Sequence, residues 1–91
     1  MRYYQAPAFE KSLKGLDAPR KERVRKAIRL AVAFFETGDL PQGLGLKALQ
    51  GTLWEIRAGL SDRIIFRKDH DTLQFILVGS HIPKVSGISL I

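Results

Sequence analysis

The chain has 91 residues, of which 45% are hydrophobic, with a formal net charge of +6 at pH 7 and no cysteine. These values fit one folded domain with one core, and they exclude a disulfide framework and a thiolate metal site. The two histidines, His70 and His81, are too few for a zinc cage. We therefore expect no metal and no cofactor.

The N-terminal segment Met1–Gln5 lacks the apolar stretch of a signal peptide. Nowhere do roughly 18 apolar residues follow one another, as a membrane span requires. We therefore expect a single domain over residues 1–91 that works in the cytoplasm and does not enter a membrane.

The positive charge is concentrated between residues 11 and 29, and acidic and basic residues cancel elsewhere. Lys21, Arg25 and Arg29 recur at i, i+4 spacing and form one basic side of a predicted helix. Such a surface suits docking on phosphates, but an ordinary solvated helix face explains it equally well, so both interpretations stay open. The basic residues of the stretch are Lys11, Lys14, Arg20, Lys21, Arg23, Arg25, Lys26 and Arg29.

The N-terminal part of the chain predicts a strand and two helices. Residues 2–5 are aromatic enough for a short strand, and Pro7 suits the first turn of a helix. Phe9 and Leu13 give this helix one buried stripe, and we expect Gly15 to close it in the left-handed conformation.

A longer amphipathic helix follows. Asp17 is a predicted N-cap, and Val24, Ile28, Ala31 and Phe35 recur with helical spacing. Residues 7–37 therefore form a predicted helical hairpin with one apolar and one basic surface.

Glycines and Pro41 predict a loop from Gly38 to Gly51, which is either a working loop or a plain linker. After it, residues 53–57 and 63–67 alternate with period two and form a hairpin around a turn at residues 59–62. Residues 73–78 are nearly all apolar and predict a strand buried on both faces in the middle of the sheet.

The hairpin register follows from the need to bury its apolar residues on one face. Pairing Trp54 with Phe66 and Ile56 with Ile64 meets this need and opposes Arg57 to Arg63 on the other face. Two opposed arginines repel each other unless an anion lies between them. The pattern therefore predicts a phosphate-binding cluster of Arg57, Arg63, Arg67 and Glu55, or a solvated face in which Glu55 offsets the arginines.

Four segments in order carry a family resemblance: Leu46–Gly51, Leu53–Arg57, Asp62–Arg67 and Val78–His81. Over residues 2–82 the chain resembles the RelE/ParE toxin superfamily of type II toxin–antitoxin systems. The resemblance implies an α+β fold: an N-terminal strand, a helical hairpin and a three-stranded antiparallel meander form one sheet packed on the helices.

For function, the resemblance implies an endoribonuclease, an mRNA interferase that enters the ribosomal A site and is silenced by a cognate antitoxin. In this chemistry the ribose 2′-OH attacks the adjacent phosphate without a metal. Carried over by position, Arg63 and Arg57 bind phosphate, Glu55 is a candidate base, and His81 is a candidate acid. The positions implied or predicted to contact RNA are Lys47, Arg67, Lys84, Lys21, Arg25 and Arg29.

The tail departs from the family pattern, because many family nucleases place a tyrosine near the leaving group there. Residues 82–91 contain none, and the chain's tyrosines are Tyr3 and Tyr4. Two alternatives to the ribonuclease therefore stay open. One is a ParE-like toxin that inhibits DNA gyrase without nuclease activity, and the other is a catalytically inactive module that binds RNA or a partner.

Overall fold

The computed structural model describes residues 1–80, which form an α+β domain. One five-stranded sheet has the order β1-β5-β4-β3-β2, and β1 runs parallel to β5 while the other neighbours are antiparallel. The elements are β1 (Arg2–Gln5), α1 (Pro7–Lys14), α2 (Ala18–Thr37), β2 (Lys47–Ala48), β3 (Leu53–Ala58), β4 (Asp62–Asp69) and β5 (Thr72–Gly79).

Helix α1 begins at Pro7, as predicted, and buries Phe9 completely. The expected left-handed end at Gly15 is wrong, because its φ is −74°. The N–H of Leu16 donates to the Leu13 carbonyl oxygen at 3.0 Å, so a tight right-handed turn ends the helix instead.

Helix α2 has the predicted caps at both ends. The Asp17 side chain accepts a hydrogen bond from the Arg20 N–H at 3.0 Å, which satisfies one free donor of the first turn. Gly38 ends the helix with a φ of 83°, and its N–H donates to the Phe34 carbonyl oxygen at 2.7 Å. Neither helix in the described part of the chain is long and apolar enough to cross a membrane.

The predicted loop between α2 and β3 contains a short strand that the sequence did not indicate. Lys47–Ala48 forms the short edge strand β2, which pairs with Glu55 and Trp54. Leu44 is buried in the core, and its carbonyl oxygen accepts a hydrogen bond from the Arg57 N–H at 2.8 Å. The segment is therefore attached along the edge of β3.

The predicted hairpin register is confirmed: Trp54 pairs with Phe66, Ile56 with Ile64, and Arg57 with Arg63. Asp62, expected in the turn, is instead the first residue of β4.

Strand β5 is an interior strand, as predicted, but only its helix-facing residues are fully buried. Leu73, Phe75 and Val78 belong to the core, whereas Gln74 and Leu77 are half-buried. An irregularity in the pairing with β4 at residues 65–66 changes the spacing of the buried residues along β5. On the face opposite the helices Ile65 of β4 is buried, but Gln74 and Leu77 of β5 are only half-buried, so the expected burial of β5 on both faces is incomplete.

Candidate functional site

The sheet face opposite the helices, called the open face here, carries the charged residues of the hairpin. Ile56, Ile64 and Phe66 belong to the core under the helices. Because side chains alternate along a strand, the intervening positions point to the open face. On β3 and β4 these positions are Leu53, Glu55, Arg57, Arg63, Ile65 and Arg67.

Arg57 and Arg63 are direct cross-strand partners on the open face, and both are exposed. In antiparallel strands such partners have Cα atoms about 4.5–5.5 Å apart. Among residues 1–80, no carboxylate oxygen lies within 4.0 Å of either guanidinium group. Glu55 does not neutralise the pair by an ion pair, and two positive charges therefore face the same space.

Gly45 explains how Arg57 is accommodated beside Arg63. A Cβ atom at Gly45 would lie 2.9 Å from Cγ and 3.0 Å from Cδ of Arg57, so the arginine stem packs directly on the glycine. The φ of Gly45 is +64°, a conformation that also favours glycine. The loop thereby holds the Arg57 stem at the sheet edge.

On its other side, Arg63 has a neighbour without a side chain. Arg63 pairs with Gly79 of β5, and no atom of residues 1–80 lies within 4 Å of a Cβ built at Gly79. The described residues therefore leave space beside Arg63 above Gly79. His81 follows Gly79 by two positions, but His81 and Lys84 lie outside the described residues.

Arg67 lies apart from the opposed pair. Four residues along a strand separate it from Arg63, a distance of roughly 13 Å between Cα atoms. Its cross-strand partners are Leu53 and Gln74, and Ile65, with 0% exposure, lies between the two arginines. The predicted single cluster thus divides into an Arg57–Arg63 pair and a separate Arg67.

Glu55, two residues before Arg57 on β3, is the cross-strand partner of Lys47 on β2. Glu55 is half-buried, Lys47 is exposed, and no ion pair joins them in the described part of the chain. Glu55 is diagonal to Arg63, since it pairs with Ile65, and diagonal neighbours are about 7–8 Å apart. The carboxylate therefore lies near the arginine pair without being bound by it.

Tyr4 also belongs to the open face. The Tyr3 ring meets the core ring of Phe75 edge to face, so the alternating side chain of Tyr4 points away from the helices. Tyr4 pairs with Gln74, the residue that also pairs with Arg67. The sheet thus brings a tyrosine to the charged face, although at the end away from Arg63.

The basic stretch of α2 is partly neutralised. The predicted docking residues Lys21, Arg25 and Arg29 lie along one side of the helix, but Arg25 Nη1 is 3.3 Å from Glu22 Oε2. Lys21 and Arg25 line a shallow groove against α1 together with Glu10. The free positive charge on this side is therefore smaller than the sequence implies.

Arg20 forms an ion pair with a residue that could not be identified from the sequence. Its Nε and Nη2 donate to Oδ2 and Oδ1 of Asp62 at 2.9 and 2.6 Å. The Asp62 side chain has no exposed surface. The hydrogen bonds from Arg20 lower the pKa of Asp62, against the opposing effect of burial, and raise the pKa of Arg20.

A sequence signal for this ion pair existed. Arg20 lies four residues before Val24 and eight before Ile28, on the apolar side of α2. A guanidinium group on that side needs a carboxylate from another element. The partner itself is 42 residues away and could not be chosen from the sequence.

Arg23 and Lys26 are two further residues that the sequence did not mark as a site. They line a cavity of about 230 Å³ that Arg57, Ala58 and Gly59 of the hairpin also line. Helix α2 and the edge of β3 thus contribute cations to one space.

No model of a known protein family matches the chain, and no curated protein matches its sequence. Several solved structures do match. The RelB–RelE antitoxin–toxin complex from Methanococcus jannaschii contains a chain 24% identical, with 86% of this chain and 87% of that chain covered and a TM-score of 0.62. The DinJ–YafQ complex from E. coli contains a chain 18% identical, with 89% of this chain and 94% of that chain covered and a TM-score of 0.71. The YoeB/ParE toxin from Agrobacterium tumefaciens is 19% identical, with 90% of this chain and 100% of that chain covered and a TM-score of 0.67.

These neighbours are toxins of toxin–antitoxin systems, alone or in complexes. The described residues therefore have the RelE/ParE toxin fold. The resemblance predicted from the four sequence segments is confirmed for the fold.

Proposed function

We propose that this protein is the toxin of a type II toxin–antitoxin system and cleaves mRNA in the ribosome. One observation carries the proposal: Arg57 and Arg63 oppose each other on the open face of a RelE-type fold, with no carboxylate partner among residues 1–80. Two adjacent guanidinium groups bind a phosphate well, because each can donate two parallel hydrogen bonds to its oxygens.

The reaction proposed is attack by a ribose 2′-oxygen on the adjacent phosphorus. The 2′-OH loses a proton, the new P–O2′ bond forms, the P–O5′ bond breaks, and the leaving 5′-oxygen gains a proton. A 2′,3′-cyclic phosphate and a 5′-hydroxyl result. The transition state carries more negative charge on the phosphate oxygens than the substrate, so Arg63 and Arg57 lower the barrier by stabilising it.

Proton transfer is assigned to two side chains in this proposal. Glu55 is diagonal to Arg63 and carries no ion pair within residues 1–80, so its carboxylate can accept the 2′-OH proton. His81 follows the strand whose Gly79 adjoins Arg63, and an imidazolium can donate to the 5′-oxygen. Lys47 and Arg67 flank the site on the same face and contact the RNA backbone in this proposal, with Lys84 beyond.

A cognate antitoxin is the proposed protein partner, because a structural neighbour is an antitoxin–toxin complex. Ribosome and mRNA are the proposed targets in the cytoplasm, and Lys21, Arg25 and Arg29 provide docking on ribosomal RNA.

The test is primer extension on translated mRNA from cells that express the protein. We expect cuts in phase with codons that disappear with Arg63→Ala, since loss of one transition-state donor costs on the order of 10²–10³ in rate. Arg2→Ala is the matched control, because Arg2 is an exposed arginine on β1, at the opposite edge of the sheet. Toxicity with gyrase-linked DNA breaks and no mRNA cuts would instead establish the ParE-like alternative.

Gly79→Leu tests the same site without removing a charge. No atom of residues 1–80 lies within 4 Å of a Cβ at Gly79, and its φ is not left-handed, so the variant should fold. The added side chain should occupy the space beside Arg63 and reduce cutting at least about tenfold, or 1.4 kcal/mol in the barrier. Full activity in this variant would mean that RNA does not bind there.

A further inference from the structure

We propose that the cavity between α2 and the edge of β3 binds a second phosphate group of the RNA strand held at Arg57 and Arg63. The proposal rests on the proposed function and extends it to residues that no sequence motif marks. The cavity has a volume of about 230 Å³ and is lined by Arg23, Lys26, Ala27, Leu30, Gln42, Gly43, Leu44, Arg57, Ala58 and Gly59.

The charge of the lining has one sign. Arg23, Lys26 and Arg57 are the charged residues among the described residues that line the cavity, and all three are cationic. The buried carboxylate of Asp62 accepts both hydrogen bonds from Arg20, and it also interacts electrostatically with Arg23. A bound anion therefore meets positive charge on both the helix side and the sheet side.

Two of these cationic side chains pack directly on glycines of the backbone. A Cβ at Gly59 would lie 2.7 Å from Cδ of Arg23, and a Cβ at Gly45 would lie 2.9 Å from Cγ of Arg57. Both glycines have a positive φ, +80° and +64°. Both arginine stems are thus packed on glycines, which reduces the side-chain entropy that binding must remove.

The occupant we infer is nucleic-acid phosphate, not an acidic protein segment. Arg57 belongs both to the opposed pair and to this cavity, so a strand bound at Arg63 can continue over Arg57 into it. The remaining walls are largely apolar, at Ala27, Leu30 and Leu44, which suits the ribose next to a phosphate.

The test uses the whole protein and fluorescein-labelled hexauridylate RNA, with anisotropy measured over a salt series. Lys26→Gln should weaken binding about fivefold at low salt and reduce the slope of log K against log salt by about 0.7, the value for one lost contact to a single strand. Arg2→Gln removes the same charge from the opposite edge of the sheet and should change affinity less than twofold.

A second variant and a second probe protect the test from a folding artefact. Arg23→Gln should act in the same direction as Lys26→Gln. In ¹⁵N NMR spectra, inorganic phosphate should shift the amides of Gly43, Leu44 and Gly59 in the wild type and not in Lys26→Gln. Equal losses for Lys26→Gln and Arg2→Gln would overturn the proposal, and so would phosphate shifts spread evenly over the chain.

An acidic peptide is the competing ligand. If hexaglutamate binds more tightly than hexauridylate and loses that affinity with Lys26→Gln, the cavity takes a protein partner and the proposal is wrong.

The failure of this proposal can be distinguished from the failure of the proposed function. Codon-phased cuts lost with Arg63→Ala, combined with no effect of Lys26→Gln on RNA affinity, would leave the proposed function standing and remove this one.

Discussion

The basic stretch of α2 and the open face of the sheet differ in how their arginines are held. On α2, Arg20 is bound by buried Asp62, and Arg25 is bound by Glu22. On the open face, Arg57 and Arg63 have no ion-pair partner among residues 1–80. The stretch with the larger net charge thus has two of its cations in ion pairs, whereas the two arginines of the charge-balanced sheet have no such partner among residues 1–80.

This difference shows that net charge and available charge are separate quantities. A net charge sums over a segment, but a ligand responds to the side chains that remain without a partner in the fold. Asp62, one of the carboxylates that balance the sheet in the count, is bound by Arg20 of α2. Cations that can bind a ligand therefore have to be identified by checking which of them lack an ion-pair partner in the fold.

The largest expected effect concerns the bound arginine of α2. Asp62→Asn should lower the free energy of unfolding by about 2–3 kcal/mol, because the buried ion pair and its charge-assisted hydrogen bonds are lost. Urea unfolding measures it. Asp69→Asn is the control, since Asp69 is exposed and should change stability by less than about 0.5 kcal/mol. Equal effects of the two variants would mean that Arg20 is not held by Asp62.

The same pair sets a dependence on acid. The pKa of Asp62 is lowered in the folded state, so its contribution to stability is present above the ordinary value of 3.8 and is lost as pH falls below it. Thermal melts from pH 7 to pH 2 should show a steeper acid loss in the wild type than in Asp62→Asn. Parallel curves would contradict this prediction.

A smaller loss of stability is expected from disturbing the contact between Gly45 and the Arg57 stem. Gly45→Ala should cost about 1–3 kcal/mol, because alanine is strained at a positive φ and its Cβ collides with the Arg57 stem. Gly51→Ala is a matched control, since Gly51 has the same φ of +64° and, in the described part of the chain, nothing within 4 Å of a Cβ. The difference between the two isolates the Arg57 contact.

A double variant sharpens this comparison. Arg57→Ala should relieve the collision, so Gly45→Ala in that background should cost no more than Gly51→Ala does. An unchanged cost would show that the Arg57 stem does not pack on Gly45.

The smallest effects are expected at the exposed basic residues of α2. Single changes to glutamine at Lys21, Arg25 or Arg29 should each weaken binding to ribosomes by no more than about threefold, since an exposed charge contributes little. Arg25→Gln should have the least effect, because Glu22 already balances Arg25. Ribosome co-sedimentation measures the series. A tenfold loss at Arg25 would reverse the comparison with the open face.

The sequence was most informative where a pattern repeats over several residues. The register of the β3–β4 hairpin was predictable, because pairing Trp54 with Phe66 and Ile56 with Ile64 puts these apolar side chains on one face. Strand β2 was missed because two residues, Lys47 and Ala48, cannot display a period. The left-handed end at Gly15 was wrong because a glycine permits that conformation without requiring it.

The candidate site was predictable only in part. The opposition of Arg57 and Arg63 followed from the register, and the separation of Arg67 follows from the same register once strand spacing is applied. The contribution of Arg23 and Lys26 did not follow, because it requires α2 to lie against the edge of β3.

The sequence by itself determined the two helices, the ends of α2, and the face on which each hairpin residue lies. These properties depend on neighbours within a few positions, and periodicity records them. Tertiary structure decided which cations are free, because ion-pair partners such as Arg20 and Asp62 lie 42 positions apart. The same applies to the cavity, whose cations come from a helix and a strand that meet only in the folded chain.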